Sequence, residues 1–128
     1  MVAGRERIYL DRFWNEFSAD PKRFDEKSRQ HYAKLYARKG AMHAAFEQFK
    51  AFDQDAIDNQ AFIAAGKLTM PVLAIGGEKS FGSTMAVVMR AAATNVTEVV
   101  IPNSGHWLME EQPQATVAAI HAFLYQAY

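Results

Sequence analysis

Two short apolar segments in the second half of the chain constrain its fold most. Residues 70–75 read MPVLAI and end in a pair of glycines, and residues 96–101 read VTEVVI, rich in β-branched side chains. Each has the length and composition of a buried strand. A helical pattern over residues 83–93 separates them, and another over residues 112–125 follows. This order of strand, helix, strand and helix predicts a parallel βαβα unit with a right-handed crossover.

The first half of the chain has a different texture, rich in charged and aromatic residues, and it predicts helices. Residues 5–17 place apolar side chains on one helical face, and Pro21 disfavours helical geometry at Asp20. Asp25 is positioned to cap a second helix. A third helix begins near residue 41 and either continues or kinks towards Phe62. We therefore divide the chain into a helical region, residues 1–66, and a strand-containing region, residues 67–128.

Composition excludes several classes of function. The chain has 128 residues, with 14 Lys and Arg against 14 Asp and Glu, so its formal net charge is zero. A neutral chain of this size suits one modest domain and gives no reason to expect nucleic acid or a membrane as a partner. Since there is no cysteine, disulfides, thiolate nucleophiles and thiolate metal sites are excluded. The N-terminus lacks the apolar region of a signal peptide, so we expect a cytoplasmic location.

One histidine stands out at the end of the second predicted strand. Residues 101–113 read IPNSGHWLMEEQP, which places His106 in a turn between the strand and the last helix. Functional groups of parallel sheets collect at the carboxyl ends of the strands, so we expect His106 to lie near the loop of residues 76–82. Two interpretations stay open at this point: His106 packs on Trp107, or it is a general base facing a cleft.

Three stretches carry a resemblance to a known family: MPVLAIGGEKSFG, NVTEVVIPNSGHWLMEEQP and, in the helical region, YARKGAMHAAFEQFKAF. Together they resemble the C-terminal end of the α/β-hydrolase superfamily, in the branch of epoxide hydrolases and dehalogenases. The resemblance implies an incomplete α/β-hydrolase fold. Residues 1–66 would derive from the cap domain, and residues 67–128 would form the C-terminal portion of the core.

This resemblance implies a site and an activity. His106 matches the histidine that serves such enzymes as general base. The parent activity would be hydrolysis of a small apolar ester, epoxide or halide through a covalent ester intermediate. Trp107, Phe49 and Tyr36 are the candidate walls of the substrate pocket. No cofactor and no metal are implied.

The sequence also departs from the family pattern. No Gly-x-Ser-x-Gly nucleophile elbow occurs in the 128 residues. Ser80 stands where many relatives carry the aspartate of the triad, and Glu78 nearby suits a turn or solvent. Phe49 resembles the position of a cap tyrosine, and phenylalanine has no hydroxyl to polarise an oxirane. Ser83 fits a helix N-cap better than a nucleophile.

These departures predict a chain that is inactive alone, either a truncated gene product or a fragment. An alternative is a non-enzymatic domain that associates with itself or with a partner. A third possibility is that another chain supplies the nucleophile and restores an enzyme. Because two short strands leave an apolar edge open, we expect a homodimer or a higher oligomer.

Overall fold

The computed structural model describes residues 2–127. Helices fill the first half of the chain, and two strands alternate with helices in the second half. The elements in chain order are α1 (Glu6–Phe17), a 3₁₀ turn (Pro21–Arg23), α2 (Glu26–Tyr36), α3 (Ala41–Lys50), α4 (Phe52–Ala65), β1 (Leu68–Gly77), α5 (Thr84–Ala92), β2 (Ala93–Ile101), α6 (Leu108–Glu111) and α7 (Pro113–Ala127).

Helix α1 ends, and helix α2 begins, where the sequence predicts. The chain leaves α1 at Ser18 in an extended conformation, and Asp25 caps α2 by accepting a hydrogen bond from the Ser28 amide at 2.7 Å. Arg29 of α2 is buried, and its guanidinium donates to the Asp11 carboxylate of α1 at 2.6 Å. Its guanidinium also stands 5.6 Å from the centre of the Trp14 ring. Arg29 therefore joins the two helices through charge and aromatic contacts.

The third helical stretch kinks rather than continues. Helix α3 follows Gly40, whose φ of 85° is accessible to glycine at little cost, and it ends at Lys50. Helix α4 restarts at Phe52 after the single residue Ala51. Every residue of α4 is exposed, so this helix contributes no buried side chain to the core.

The predicted parallel pair of strands is confirmed. β1 and β2 pair in parallel over their whole carboxyl halves, from Val72 opposite Val96 to Gly77 opposite Ile101. Within residues 2–127 the sheet consists of these two strands. Both strands begin earlier than predicted, β1 at Leu68 and β2 at Ala93. For β2 this is because the chain becomes extended directly after α5. Helix α5 packs on both strands, as a crossover helix should.

The last helix has the predicted position but not the predicted packing. The sequence predicts an inward face of Val117, Ile120, Phe123 and Leu124. Phe123 is half-buried, yet Val117, Ile120 and Leu124 are 41%, 36% and 48% exposed. A sheet of two strands is too narrow to cover the whole apolar stripe of α7. A single helical turn, α6, precedes α7 and was not predicted.

One cluster of buried apolar residues lies among the helices and contains Leu10, Trp14 and Phe24. The other buried apolar residues belong to the strands and to α5, and they are Ala74, Ala86, Ala93 and Ile101. Trp107, from the loop after β2, packs against the cluster among the helices and so connects the two halves of the chain.

Candidate functional site

The two loops that leave the carboxyl ends of β1 and β2 share one rim, as predicted. The amide of Lys79 donates to the carbonyl of Ser104 at 2.9 Å, and the amide of Glu78 donates to the carbonyl of Ile101 at 3.0 Å. The Glu78 carboxylate in turn accepts from the amide of Asn103 at 2.9 Å. The loop of residues 76–82 therefore touches the loop that carries His106.

Glu78 is an organiser of this rim rather than a partner of the histidine. Its hydrogen bond from the Asn103 amide, and secondarily the charge of Lys79, hold the pKa of Glu78 below its usual value. Asn103 has a φ of 54°, a left-handed conformation that asparagine tolerates better than most residues. The carboxylate thus stabilises a tight turn, which agrees with the turn-capping interpretation of Glu78.

Two glycines let backbones meet at the rim. A Cβ built on Gly77 would collide with the carbonyl oxygen of Gly105 and lie 2.7 Å from that of Ser104. A Cβ on Gly105 would collide with the carbonyl oxygen of Phe17 and lie 2.5 Å from the nitrogen of Ala19. Gly105 is therefore required because the chain leaving α1 crosses the histidine loop at van der Waals distance.

His106 sits at the crossing with its side chain exposed. Its amide donates to the carbonyl of Phe17 at 2.8 Å. Its ring stands edge-on to the Trp107 ring, with 4.7 Å between centroids, and 6.1 Å from the ring of Phe17. The backbone of His106 is thus fixed while its imidazole stays open to solvent, an arrangement compatible with a base that takes a proton from water.

Glu111 also holds the histidine loop against the segment after α1, and the sequence does not predict this role. The side chain is 1% exposed, and one carboxylate oxygen accepts from the amides of Gly105 and Trp107 at 3.0 and 3.2 Å. The other oxygen accepts from the amides of Ala19 and Asp20 at 2.7 and 3.4 Å. One buried carboxylate therefore ties both neighbours of His106 to the segment after α1.

The sequence held a partial signal for this clamp. Glu111 belongs to the Glu-x-Pro that follows the Ser-Gly-His-Trp turn. Its neighbour is also a glutamate, and two acidic residues beside a helix start look like solvated charge. The burial arises only when the chain after α1 folds across the loop, and this contact spans 92 residues.

The three candidate pocket residues line one cavity. Trp107, Phe49 and Tyr36 all border an apolar cavity of about 270 Å³ beside α1, α2 and α3. His106 is not among the residues that line it, although it directly precedes Trp107. The cavity contains one polar pair, in which the Tyr32 hydroxyl donates to Oε1 of Glu110 at 2.6 Å.

The remaining candidates do not join the site. Ser83 occupies the N-cap position of α5, but its side chain makes no capping hydrogen bond, because its backbone is already helical. Ser80 is exposed. His31, His43 and His121 are exposed, and Nδ1 of His43 lies 3.8 Å from Oε1 of Glu47, one helical turn along α3. Residues 2–127 contain no group of three potential metal ligands.

The parallel strands, the helical region and the histidine loop together have the fold of part of an α/β-hydrolase. The chain is 28% identical over 119 residues to the soluble epoxide hydrolase of a Corynebacterium species, matching 91% of this chain and 41% of that protein. It is 34% identical to the crystal structure of Cfl2 from Burkholderia cenocepacia, with a TM-score of 0.87 over 95% of this chain and 42% of that one. No protein-family model matches the chain.

A third comparison extends the likeness in fold. The Cif epoxide hydrolase from Acinetobacter nosocomialis is 24% identical, with a TM-score of 0.83 over 91% of this chain and 38% of that one. The sequence match to the Corynebacterium protein confirms the resemblance to the epoxide hydrolase branch, and the structural matches confirm that the chain has part of an α/β-hydrolase fold. The chain spans about two fifths of the length of these relatives. No helix within residues 2–127 is long and apolar enough to cross a membrane.

Proposed function

We propose that the chain supplies the general base and the apolar pocket wall of a hydrolase for a small apolar ester, epoxide or halide. The observation that carries this proposal is the fixed backbone of His106, held at the carboxyl end of β2 between Glu111 and Phe17. The epoxide hydrolases among the similar proteins support it. A cytoplasmic location stays a prediction from the sequence.

The proposed chemistry proceeds in two steps. An epoxide or a halide reacts first with a nucleophilic carboxylate, which opens the ring or displaces the halide, and an ester reacts first with a nucleophilic hydroxyl, which displaces the alcohol; each first step leaves an ester on the nucleophile. His106 then takes a proton from water, the resulting hydroxide attacks the ester, and the nucleophile is regenerated with release of the product. Since no nucleophile elbow occurs in these 128 residues, we propose that the chain alone does not turn over substrate.

Turnover assays with purified protein test both parts of the proposal. We expect no release of p-nitrophenol from p-nitrophenyl esters and no opening of styrene oxide above the buffer rate. A turnover that disappears in His106→Ala, but not in the surface control His121→Ala, would contradict the proposed inactivity and confirm His106 as the base.

A chimera tests the competence of His106 itself. In it, this chain replaces the corresponding part of the Corynebacterium soluble epoxide hydrolase, which provides the rest of the fold. We expect His106→Ala to lower the hydrolysis rate of the chimera by about 100-fold or more, and His121→Ala to leave it unchanged. An active chimera that is indifferent to His106→Ala would refute the assignment.

The second candidate function is self-association without catalysis. Leu68 and Met70, at the start of β1, are 46% and 57% exposed, and the outer edge of β1 pairs with no other strand within residues 2–127. An open apolar edge favours pairing with a second copy of the chain. We therefore propose a homodimer or higher oligomer as the state of the isolated chain.

A further inference from the structure

The apolar cavity beside the helices has an aromatic wall with one charged group in it. Its volume of about 270 Å³ lies near the lower end of the range for ligand sites, so it suits a small, compact molecule. Most of its wall is aromatic, and the residues concerned are Tyr9, Phe13, Trp14, Phe24, Tyr32, Tyr36, Phe49 and Trp107. The charged group is the half-buried carboxylate of Glu110.

One hydrogen-bonding group of this cavity is committed within the protein. The single hydroxyl proton of Tyr32 is used in its bond to Oε1 of Glu110. This bond, and secondarily burial, raise the pKa of Tyr32, so the hydroxyl keeps its proton well above neutral pH. Tyr9 and Tyr36 add two further hydroxyls to the wall. The indole nitrogen of Trp107 is shielded from solvent and has no hydrogen-bond partner within residues 2–127.

The Glu110 carboxylate can accept a further hydrogen bond. Oε2 of Glu110 accepts no hydrogen bond from any side chain or amide in residues 2–127, whereas Oε1 accepts one. Because Glu110 lines the cavity, we expect a ligand that fills it to displace water from this carboxylate. Removing water from a carboxylate is costly unless a new donor replaces it, so a ligand that brings a donor is favoured over one that does not.

We infer that the cavity binds a small apolar molecule carrying a hydroxyl group, which donates to Glu110 while its hydrocarbon part packs on the aromatic wall. The inference rests on the proposed function in that it takes this cavity to be the substrate pocket. It adds a substrate class: a compact alcohol, or a substrate with a free hydroxyl away from the bond that is cleaved.

Three ligands of similar size and shape distinguish the contribution of a hydrogen-bond donor to binding from that of the hydrocarbon. Cyclohexanol carries a donor, cyclohexanone carries only an acceptor, and methylcyclohexane carries neither. The only two tryptophans of the chain, Trp14 and Trp107, both line the cavity, so tryptophan fluorescence excited at long wavelength reports its occupation directly. We expect cyclohexanol to bind about tenfold more tightly than either other ligand, the effect of one hydrogen bond to a charged group.

Variants assign the preference to the polar pair. In the double variant Tyr32→Phe/Glu110→Met both partners become apolar, so neither is left unpaired, and we expect the tenfold preference to vanish while methylcyclohexane still binds. Tyr36→Phe removes another hydroxyl from the same wall and should leave the preference intact. If the double variant does not fold, Glu110→Gln keeps an acceptor for Tyr32 but replaces the second acceptor oxygen by an amide donor, and the preference for cyclohexanol should again vanish.

The outcomes separate this inference from the proposed function. Equal affinities for the three ligands in the unaltered chain would overturn the donor requirement and leave the apolar pocket standing. A preference that persists without Glu110 would also overturn it. If no ligand changes the fluorescence, the cavity is not a binding site, and both the inference and the pocket of the proposed function fail, whereas the role of His106 is tested separately by the chimera.

Discussion

At the scale of single residues, His106 is positioned by its neighbours rather than by its own side chain. The amides on either side of it, those of Gly105 and Trp107, donate to the buried Glu111. Its own amide donates to the carbonyl of Phe17. A base held in this way keeps its imidazole free, because no part of the ring is needed to maintain the loop.

Glu111→Gln tests the clamp. Glutamine has one acceptor oxygen, so its amide group must face backbone donors that the carboxylate accepted from. Buried donors left without a partner cost about 1–3 kcal/mol each, and we expect a loss of about 2 kcal/mol or more in the free energy of unfolding. The neighbouring Glu110→Gln, which keeps an acceptor for Tyr32, is the matched control.

Urea unfolding followed by circular dichroism measures both variants. Equal losses for Glu111→Gln and Glu110→Gln would show that the four amide contacts carry no special weight. Hydrogen exchange adds a local test, since the amides of Gly105, Trp107 and Ala19 should lose more protection than those in the middle of β2.

Gly105 and His106 are adjacent, but replacement by alanine should destabilise the protein strongly at the first position and very little at the second. Gly105→Ala places a methyl group against the carbonyl of Phe17 and the nitrogen of Ala19, and backbone atoms cannot move aside easily. We expect a loss of about 3 kcal/mol, at the upper end of overpacking effects. His106→Ala removes an exposed side chain and should change stability by less than about 0.5 kcal/mol. Thermal unfolding decides, and comparable destabilisation by the two variants would contradict the proposed crossing.

At the scale of elements, sequence periodicity predicts what lies within one segment and misses what two segments make together. The end of α1 follows from Pro21 and the start of α2 from Asp25, and the strands follow from their apolar composition. The single turn α6 spans four residues, which is too short for a periodic signal. Arg29 and Glu111 look like surface charges in the sequence, because their burial depends on partners far along the chain.

The site divides in the same way. A histidine after a strand and a glycine predicts a turn at the rim, and the rim contact is confirmed by the Ser104 and Ile101 carbonyls. The structure also shows why residue 105 is a glycine, since the backbone leaving α1 passes directly against it. In the predicted inward face of α7, Val117, Ile120 and Leu124 are exposed, because a helical stripe does not reveal how wide a sheet lies beneath it.

The junction of α1 and α2 provides a prediction about pH. Arg7 donates through both terminal nitrogens to Glu26, at 2.7 and 2.8 Å, and this hydrogen bonding lowers the pKa of Glu26 from 4.5 to about 2. A carboxylate whose pKa is depressed by folding stabilises the fold above its ordinary pKa and loses that contribution as pH falls through the folded value.

We therefore compare Glu26→Gln with the unaltered chain across pH. The variant should be less stable above pH 4.5, and the difference should shrink as pH falls from 4.5 through about 2. Glu16→Gln is the control, because its pair with Arg12 lies within α1 and joins no second helix. Thermal unfolding at each pH provides the measurement. A difference between the variant and the unaltered chain that stays constant from pH 4.5 down to pH 2 would refute the role of this ion pair.

At the scale of the whole molecule, the helical and strand regions meet through a narrow contact. Trp107 and the Glu111 clamp connect them at the rim, and apolar surface lies open away from it. The exposed apolar side chains fall mainly on α4, on the start of β1, on α5 and on α7, and they include Ile57, Phe62, Leu68, Met70, Val87, Val88, Val117 and Leu124. Patches of several hundred square ångströms mark interaction sites in soluble proteins.

The last prediction is that this open surface drives self-association of the isolated chain. The strand edge at Met70 offers unpaired backbone groups, and the exposed surface of α4 around Phe62 offers aromatic area, so a two-fold dimer could form through either one. Met70→Lys should dissociate a dimer built on the strand edge and leave one built on α4 intact, and Phe62→Lys should do the reverse. Sedimentation equilibrium at micromolar concentration distinguishes them. A monomer of 14.4 kDa in the unaltered chain, without binding of a hydrophobic dye, would refute self-association. In that case the narrow contact between the two regions suffices to keep the chain folded on its own.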